Sequence, residues 1–222
     1  MEARLTDIDR EEVLRYLLWH GGEIPEDIES ALRRGTERLR KAARPRAVWR
    51  VFDYCPGEAL GGTDFRPEGE DLKAFLRECD QVILMAATLG SEPDLLQKQL
   101  RLRDLSEAVI LDAAGSAAVE NVCDNLCADL AAQFAPWFLT ERFSPGYGDF
   151  PLSQQRWFFQ LLDMPRRLGV SLTESFLMVP QKTVTAMIGV SDRPQPKREE
   201  SCARCSLRAD CAFHKEGRRC GK

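Results

Sequence analysis

The run Arg142-Phe-Ser-Pro-Gly-Tyr147 combines a guanidinium, a glycine and an aromatic ring. Arg142 can hold a carboxylate through two parallel hydrogen bonds, because the fork of N–H donors matches the two carboxylate oxygens. Gly146 follows Pro145, which lets the backbone turn tightly and approach a bound group closely. A polar segment, Leu172-Thr-Glu-Ser175, follows beside an apolar run. This composition is typical of a ligand-contacting loop docked on a sheet.

A second candidate site is a cysteine cluster in the last 21 residues, spaced as Cys202-x2-Cys205-x5-Cys211-x8-Cys220. Two thiolates separated by two residues can hold one metal centre, and the later pair can complete a four-sulfur shell. The spacing suits a structural zinc ion, and it is also similar to that of auxiliary iron–sulfur domains in radical enzymes. We favour a [4Fe-4S] cluster over zinc, for a functional reason given below.

The other four cysteines are interpreted as small, buried, unreactive side chains; they are Cys55, Cys79, Cys123 and Cys127. The chain has only two histidines, His20 and His214. With so few histidines, a Cys–His or Ser–His catalytic pair is not indicated, and we predict no catalytic residue.

Composition bounds the classes of protein that remain. The chain has 222 residues, a net charge of -4 and an isoelectric point near 5.4, which argues against a dedicated nucleic-acid binder. Residues 197–222 are locally basic, with eight Lys/Arg against four Asp/Glu. No secretory signal is recognised at the start, and no apolar stretch approaches the ~20 residues needed to cross a bilayer. We expect a cytoplasmic protein with no membrane contact.

The spacing of apolar residues predicts the helices and strands that position the loop, and Gly and Pro mark where these elements end. Helices are predicted at 9–19, 25–43, 71–79, 93–105, 106–135 and 151–164, and strands at 47–54, 81–90 and 183–190. Residues 57–69 are predicted as a loop or hairpin. Because the order of helices and strands has no βαβ rhythm, the fold class is α+β. A polar, proline-containing linker begins near residue 192, so we predict one domain at 1–191 and a metal-binding tail at 192–222.

These motifs together resemble the activation domain of cobalamin-dependent methionine synthase. In that family an Arg-x-x-Pro-Gly-Tyr loop precedes a Leu-Thr-Glu-Ser segment and a Ser/Thr-rich strand, in the order found here. The resemblance is specific over residues 140–190 and looser, but continuous, upstream. It implies an α+β fold with a curved, mainly antiparallel sheet and long helices.

The resemblance also implies an S-adenosylmethionine site. Arg142 matches the arginine that holds the methionine carboxylate, Ser144 lies where the backbone contacts the ligand, and Tyr147 supplies the ring that completes the pocket, with Gly146 allowing the close approach. Glu120 matches an acidic residue of the long helix that faces the positively charged end of the ligand. The family's other acidic residue, in the opening helix, falls at Leu18, so one polar contact is missing or comes from elsewhere.

The implied function is reactivation of a cobalamin-dependent methionine synthase whose cobalt has oxidised to cob(II)alamin. Rescue needs one electron and a methyl group from S-adenosylmethionine, and the cobalamin is expected on a separate corrinoid-binding subunit. A redox-active cluster in the tail would deliver the electron locally, which is why we favour iron–sulfur; a zinc tail would leave that role to a flavodoxin or ferredoxin. Two alternatives stay open: an activator of another corrinoid methyltransferase system, such as those using methanol or methylamine, and a non-catalytic module that senses S-adenosylmethionine or caps a corrinoid domain, with a zinc tail.

Overall fold

The computed structural model describes residues 3–19 and 21–194. The helices are α1 (Arg10–Tyr16), α2 (Glu26–Ala42), α3 (Glu70–Phe75), α4 (Glu92–Arg101), α5 (Leu105–Phe134), α6 (Gln155–Leu162) and α7 (Met164–Leu168), with a 3₁₀ turn at Leu152–Gln154. The strands are β1 (Arg46–Asp53), β2 (Gln81–Thr88), β3 (Phe138–Leu139), β4 (Ser171–Leu172), β5 (Met178–Val179) and β6 (Thr183–Ser191). The predicted metal ligands Cys202, Cys205, Cys211 and Cys220 lie outside the described residues.

Four strands form an antiparallel sheet in the order β1-β2-β6-β3, while β4 and β5 form a separate small hairpin. The centre of the sheet is β2, in which every residue after Gln81 is buried. Its side chains face packed layers on both sides of the sheet, which explains why the sequence is continuously apolar instead of alternating.

On one face of the sheet α5 packs against the strands, and α1, α2 and α4 pack against α5; on the other face lie α3, α6, α7 and the loops between them. The first core contains Ile83, Met85 and Ile188 with the buried residues of α5. The second contains Leu84 and Met187 with a cluster of phenylalanines: Phe65, Phe143, Phe150, Phe158 and Phe159. The sheet is thus the middle of three layers.

The long helix α5 begins directly after an N-cap residue and is buried around most of its circumference. Asp104 is the N-cap, and its side chain accepts a hydrogen bond from the Glu107 backbone N–H at 3.0 Å. Buried small residues such as Ala114 and Ala118 let neighbouring elements approach the helix axis. The same helix carries Glu120, so it positions one of the predicted site residues.

The predicted fold class is confirmed, since helices are combined with an antiparallel sheet. The predicted helix at 151–164 is divided because Asp163 has a left-handed backbone (φ 51°) that ends α6 before α7 begins.

The interpretation of one cysteine as a buried side chain is wrong. Cys79 and Cys123 are buried as expected and Cys127 is partly buried, whereas Cys55 is exposed, because it follows β1 in a surface turn.

Candidate functional site

The predicted ligand loop follows β3 along the outer edge of β6. Phe143 and Met187 exchange both backbone hydrogen bonds, at 2.9 and 2.8 Å, which extends the sheet for one residue beyond β3. The Phe143 and Phe150 side chains are fully buried in the second core, so both ends of the loop are anchored there. Between them Pro145 is also buried, whereas residues 146–149 are exposed at the protein surface.

The loop turns at Gly146, which has a φ of +93°. The Gly146 N–H donates to the Phe150 carbonyl at 2.8 Å, and the Tyr147 N–H donates to the Ser144 carbonyl at 3.1 Å. A Cβ at Gly146 would meet only Leu152 Cδ1, at an ordinary 3.6 Å. The left-handed backbone, and not lack of space, is therefore the reason for glycine here.

Arg142 directs its side chain back onto α5. Its Nη2 donates to Glu120 Oε2 at 2.7 Å, and its Nη1 donates to Asp124 Oδ1 at 2.9 Å and contacts Cys127 Sγ at 3.7 Å. The Arg142 side chain is only 20% exposed. The structure thus brings Arg142 and Glu120, which were predicted to contact opposite ends of one ligand, into a direct ion pair with each other.

Asp124 is a site residue that the sequence analysis did not select. It lies one helical turn after Glu120 on α5, so both carboxylates face the same guanidinium. The four-residue spacing was the available signal. It could not be used from sequence alone, because the arginine that joins the two carboxylates lies 18 residues beyond Asp124 on a different element.

The surroundings keep Arg142 charged and the nearby thiols neutral. Burial alone would lower the pKa of Arg142, but its acidic neighbours outweigh burial and raise the pKa: the thiols of Cys123 and Cys127 where they ionise, and the carboxylates of Glu120 and Asp124. Burial raises the pKa of Cys123 and of Cys127, although Arg142 opposes the shift at both. These thiols accordingly have little nucleophilic character at neutral pH.

The other nominated residues lie around this ion-pair cluster with different exposure. Ser144 is half-buried, whereas Tyr147 is 63% exposed and leaves its ring available for contact. Burial raises the pKa of Tyr16 in α1, hydrogen bonding with Arg15 opposes the shift, and the Glu120 charge adds to it. Leu18, the position of the missing acid, is exposed just beyond α1 and has a left-handed backbone.

The Thr-Glu-Ser segment forms the turn of the β4–β5 hairpin. Thr173 Oγ1 accepts from the Leu177 N–H at 2.9 Å, and the Thr173 backbone N–H donates to the Leu177 carbonyl at 2.9 Å. The hydroxyls of Thr173 and Ser175 are 3.1 Å apart. These contacts explain Thr173 and Ser175 through the hairpin itself, without requiring a ligand.

A pocket of about 250 Å³ lies elsewhere, between α1 and α2. It is lined by Ile8, Arg10, Val13, Glu29, Leu32, Arg33, Thr36, Glu37 and Arg40. None of the proposed ligand residues lines this pocket.

Among the residues that the structure describes, no group of His, Cys, Asp and Glu is arranged to hold a metal ion. In the same part of the chain, no helix combines the length and apolar character needed to span a membrane.

Comparison with known proteins relates this arrangement to one family. Residues 128–196 match the model of the vitamin B12 dependent methionine synthase activation domain. A search of curated proteins found no relative. Among solved structures, the chain is similar to the MetH reactivation domain bound to AdoHcy, with a TM-score of 0.58 and 16% identity over 85% of this chain and 77% of that chain.

The matched residues include Arg142, the Pro-Gly-Tyr turn, the β4–β5 hairpin and β6, which form the loop and the sheet edge described above. The structural likeness extends over the upstream helices as well. The predicted resemblance is therefore confirmed: this chain is similar to the activation domain of vitamin B12 dependent methionine synthase, in sequence over residues 128–196 and in fold over most of its length.

Proposed function

We propose that the chain binds S-adenosylmethionine and supports reductive remethylation of cob(II)alamin on a separate corrinoid-binding subunit of methionine synthase. The observation that carries the proposal is the permanently charged Arg142, held at the edge of β6 beside two carboxylates. The family match adds support, as does the AdoHcy bound to the similar MetH domain, because AdoHcy is S-adenosylmethionine without its transferable methyl group.

The roles of the residues follow from the charges of the ligand. S-adenosylmethionine has a carboxylate for Arg142 and an ammonium and a sulfonium that favour a nearby acid, Glu120. Ser144 and Gly146 would bring the loop backbone close to the ligand, and the exposed Tyr147 ring would cover it. The methyl group comes from the ligand and is accepted by the partner's cobalt, while the electron would come from the cluster proposed for the tail or, with a zinc tail, from a flavodoxin or ferredoxin. This chain contributes binding and orientation.

Calorimetric titration with S-adenosylmethionine tests the site. We expect Arg142→Met to weaken binding by about 1–3 kcal/mol, which raises Kd roughly 5- to 150-fold, because a charged hydrogen-bond partner is lost. Arg4→Met is the matched control. Arg4 also pairs with a carboxylate of α5, Asp129, but it is an exposed residue of the N-terminal segment and is not part of the loop.

The two variants separate a local effect from a general one. Equal weakening by both would indicate a general change in charge or in α5, and would remove the case for Arg142 as the carboxylate ligand. Absence of any binding by the unmodified protein would refute the S-adenosylmethionine site. If binding is observed, conversion of cob(II)alamin to methylcobalamin on methionine synthase, followed by absorbance, tests the reactivation itself.

A further inference from the structure

The guanidinium of Arg142 is divided between two different carboxylates. Nη2 donates to Glu120 and Nη1 donates to Asp124, so each terminal nitrogen already has a negatively charged partner. The strongest way for arginine to hold a free carboxylate is bidentate, with two parallel N–H donors directed at the same group. A ligand carboxylate held by both terminal nitrogens at once must therefore compete with at least one of the two protein carboxylates for the guanidinium.

Asp124 is the partner more easily released. Its side chain is 59% exposed, compared with 40% for Glu120, and its contact with Arg142 is 2.9 Å, compared with 2.7 Å. A released Asp124 would regain water at its surface position on α5, so its desolvation cost is small. Arg142 would keep its contacts with Glu120 and with Cys127 Sγ during the exchange.

We propose that Asp124 is an internal competitor for the Arg142 guanidinium, which the carboxylate of the ligand displaces on binding. This inference rests on the proposed function and adds a residue to it. Asp124 substitutes for the ligand carboxylate in the free protein, keeps the buried guanidinium paired, and lowers the affinity for any ligand bound through a carboxylate. Glu120 has the opposite effect, since it remains in place and favours the cationic end of the ligand.

The test is titration of Asp124→Asn with two ligands, S-adenosylmethionine and decarboxylated S-adenosylmethionine. The amide keeps the shape of the side chain but removes its charge. We expect Kd for S-adenosylmethionine to fall about threefold, the fold-change typical of losing a partly exposed ion pair. We expect no change for the decarboxylated ligand, because it does not compete for Arg142. Asp129→Asn on the same helix, whose carboxylate pairs with Arg4, is the matched control and should change neither affinity.

The possible outcomes are distinct. Tighter binding of both ligands by Asp124→Asn would indicate a general electrostatic effect, and weaker binding would make Asp124 a direct ligand contact; either result overturns the inference, as does an unchanged affinity. In all three cases the proposed function stands, because S-adenosylmethionine is still bound. If the unmodified protein does not bind S-adenosylmethionine at all, the proposed function fails and the inference fails with it.

Discussion

Asp149 attaches the Arg142 loop to the layer of helices on the second face of the sheet. Its Oδ2 accepts from the Glu70 backbone N–H at 2.6 Å, and its Oδ1 accepts from the Asp71 N–H at 3.0 Å. These N–H groups belong to the first turn of α3, where no intrahelical acceptor is available. Gly69 permits this approach, since a Cβ there would lie 2.6 Å from Asp149 Oδ1. A single carboxylate thus caps a helix and fixes the loop.

We expect Asp149→Ala to lower the free energy of unfolding by about 1 kcal/mol, the usual cost of removing a capping side chain. Asp149→Asn should lower it less, because the amide oxygen can still accept one of the two hydrogen bonds. Urea denaturation followed by circular dichroism measures both. Equal losses in the two variants would show that the negative charge, and not the hydrogen bonding, is what matters at this position.

Packing of α2 against α5 depends on a close contact at Gly35. A Cβ on this residue would lie 2.7 Å from Ile110 Cγ2, closer than side-chain atoms can approach. Ile110 is itself buried in the first core. The small residue therefore sets how closely α2 can lie against the helix that carries Glu120 and Asp124, and the spacing of these helices supports the site indirectly.

We expect Gly35→Ala to destabilise the protein by about 1–3 kcal/mol through overpacking, although alanine alone favours a helix by about 1 kcal/mol over glycine. Ile110→Ala should relieve the clash while creating a cavity. In a double-mutant cycle, the two substitutions together should then cost less than the sum of their separate effects. Additive effects in thermal or urea unfolding would exclude the proposed contact as the cause.

The elements were more predictable from sequence than the contacts between them. The apolar stripes of α1 and α2 and the continuous apolar run of β2 carry a local signal, and all three lie close to the predicted ranges. Two-residue strands such as β3 have no periodicity to detect. The Arg142 loop was found through its composition, but its pairing with Glu120 and Asp124 depends on tertiary structure and is invisible in the local sequence.

At the scale of the whole molecule, the candidate site joins the two helical layers across the edge of the sheet. Arg142 reaches α5 in the first layer, while its neighbour Phe143 is buried in the second core. A ligand held by Arg142 and Glu120 would bind only when both layers are assembled. Binding of this kind stabilises the entire folded state, by RT ln(1 + [L]/Kd), in addition to ordering the loop.

The metal centre predicted for the cysteine tail can be tested independently of the ligand site. We expect anaerobically purified protein to contain iron and sulfide in equal amounts, and the Cys202→Ser/Cys205→Ser double variant to lose both, because four thiolates are needed to complete the cluster shell. Cys55→Ser, which removes an exposed cysteine outside the tail, is the control and should retain the metal. Metal analysis and an ultraviolet–visible spectrum provide the measurement.

A colourless protein containing zinc would contradict the iron–sulfur cluster but not the four-cysteine site. Metal retained by the double variant would contradict both. S-adenosylmethionine binding should be the same in all three proteins, since the proposed ligand residues lie in the body at 120–147.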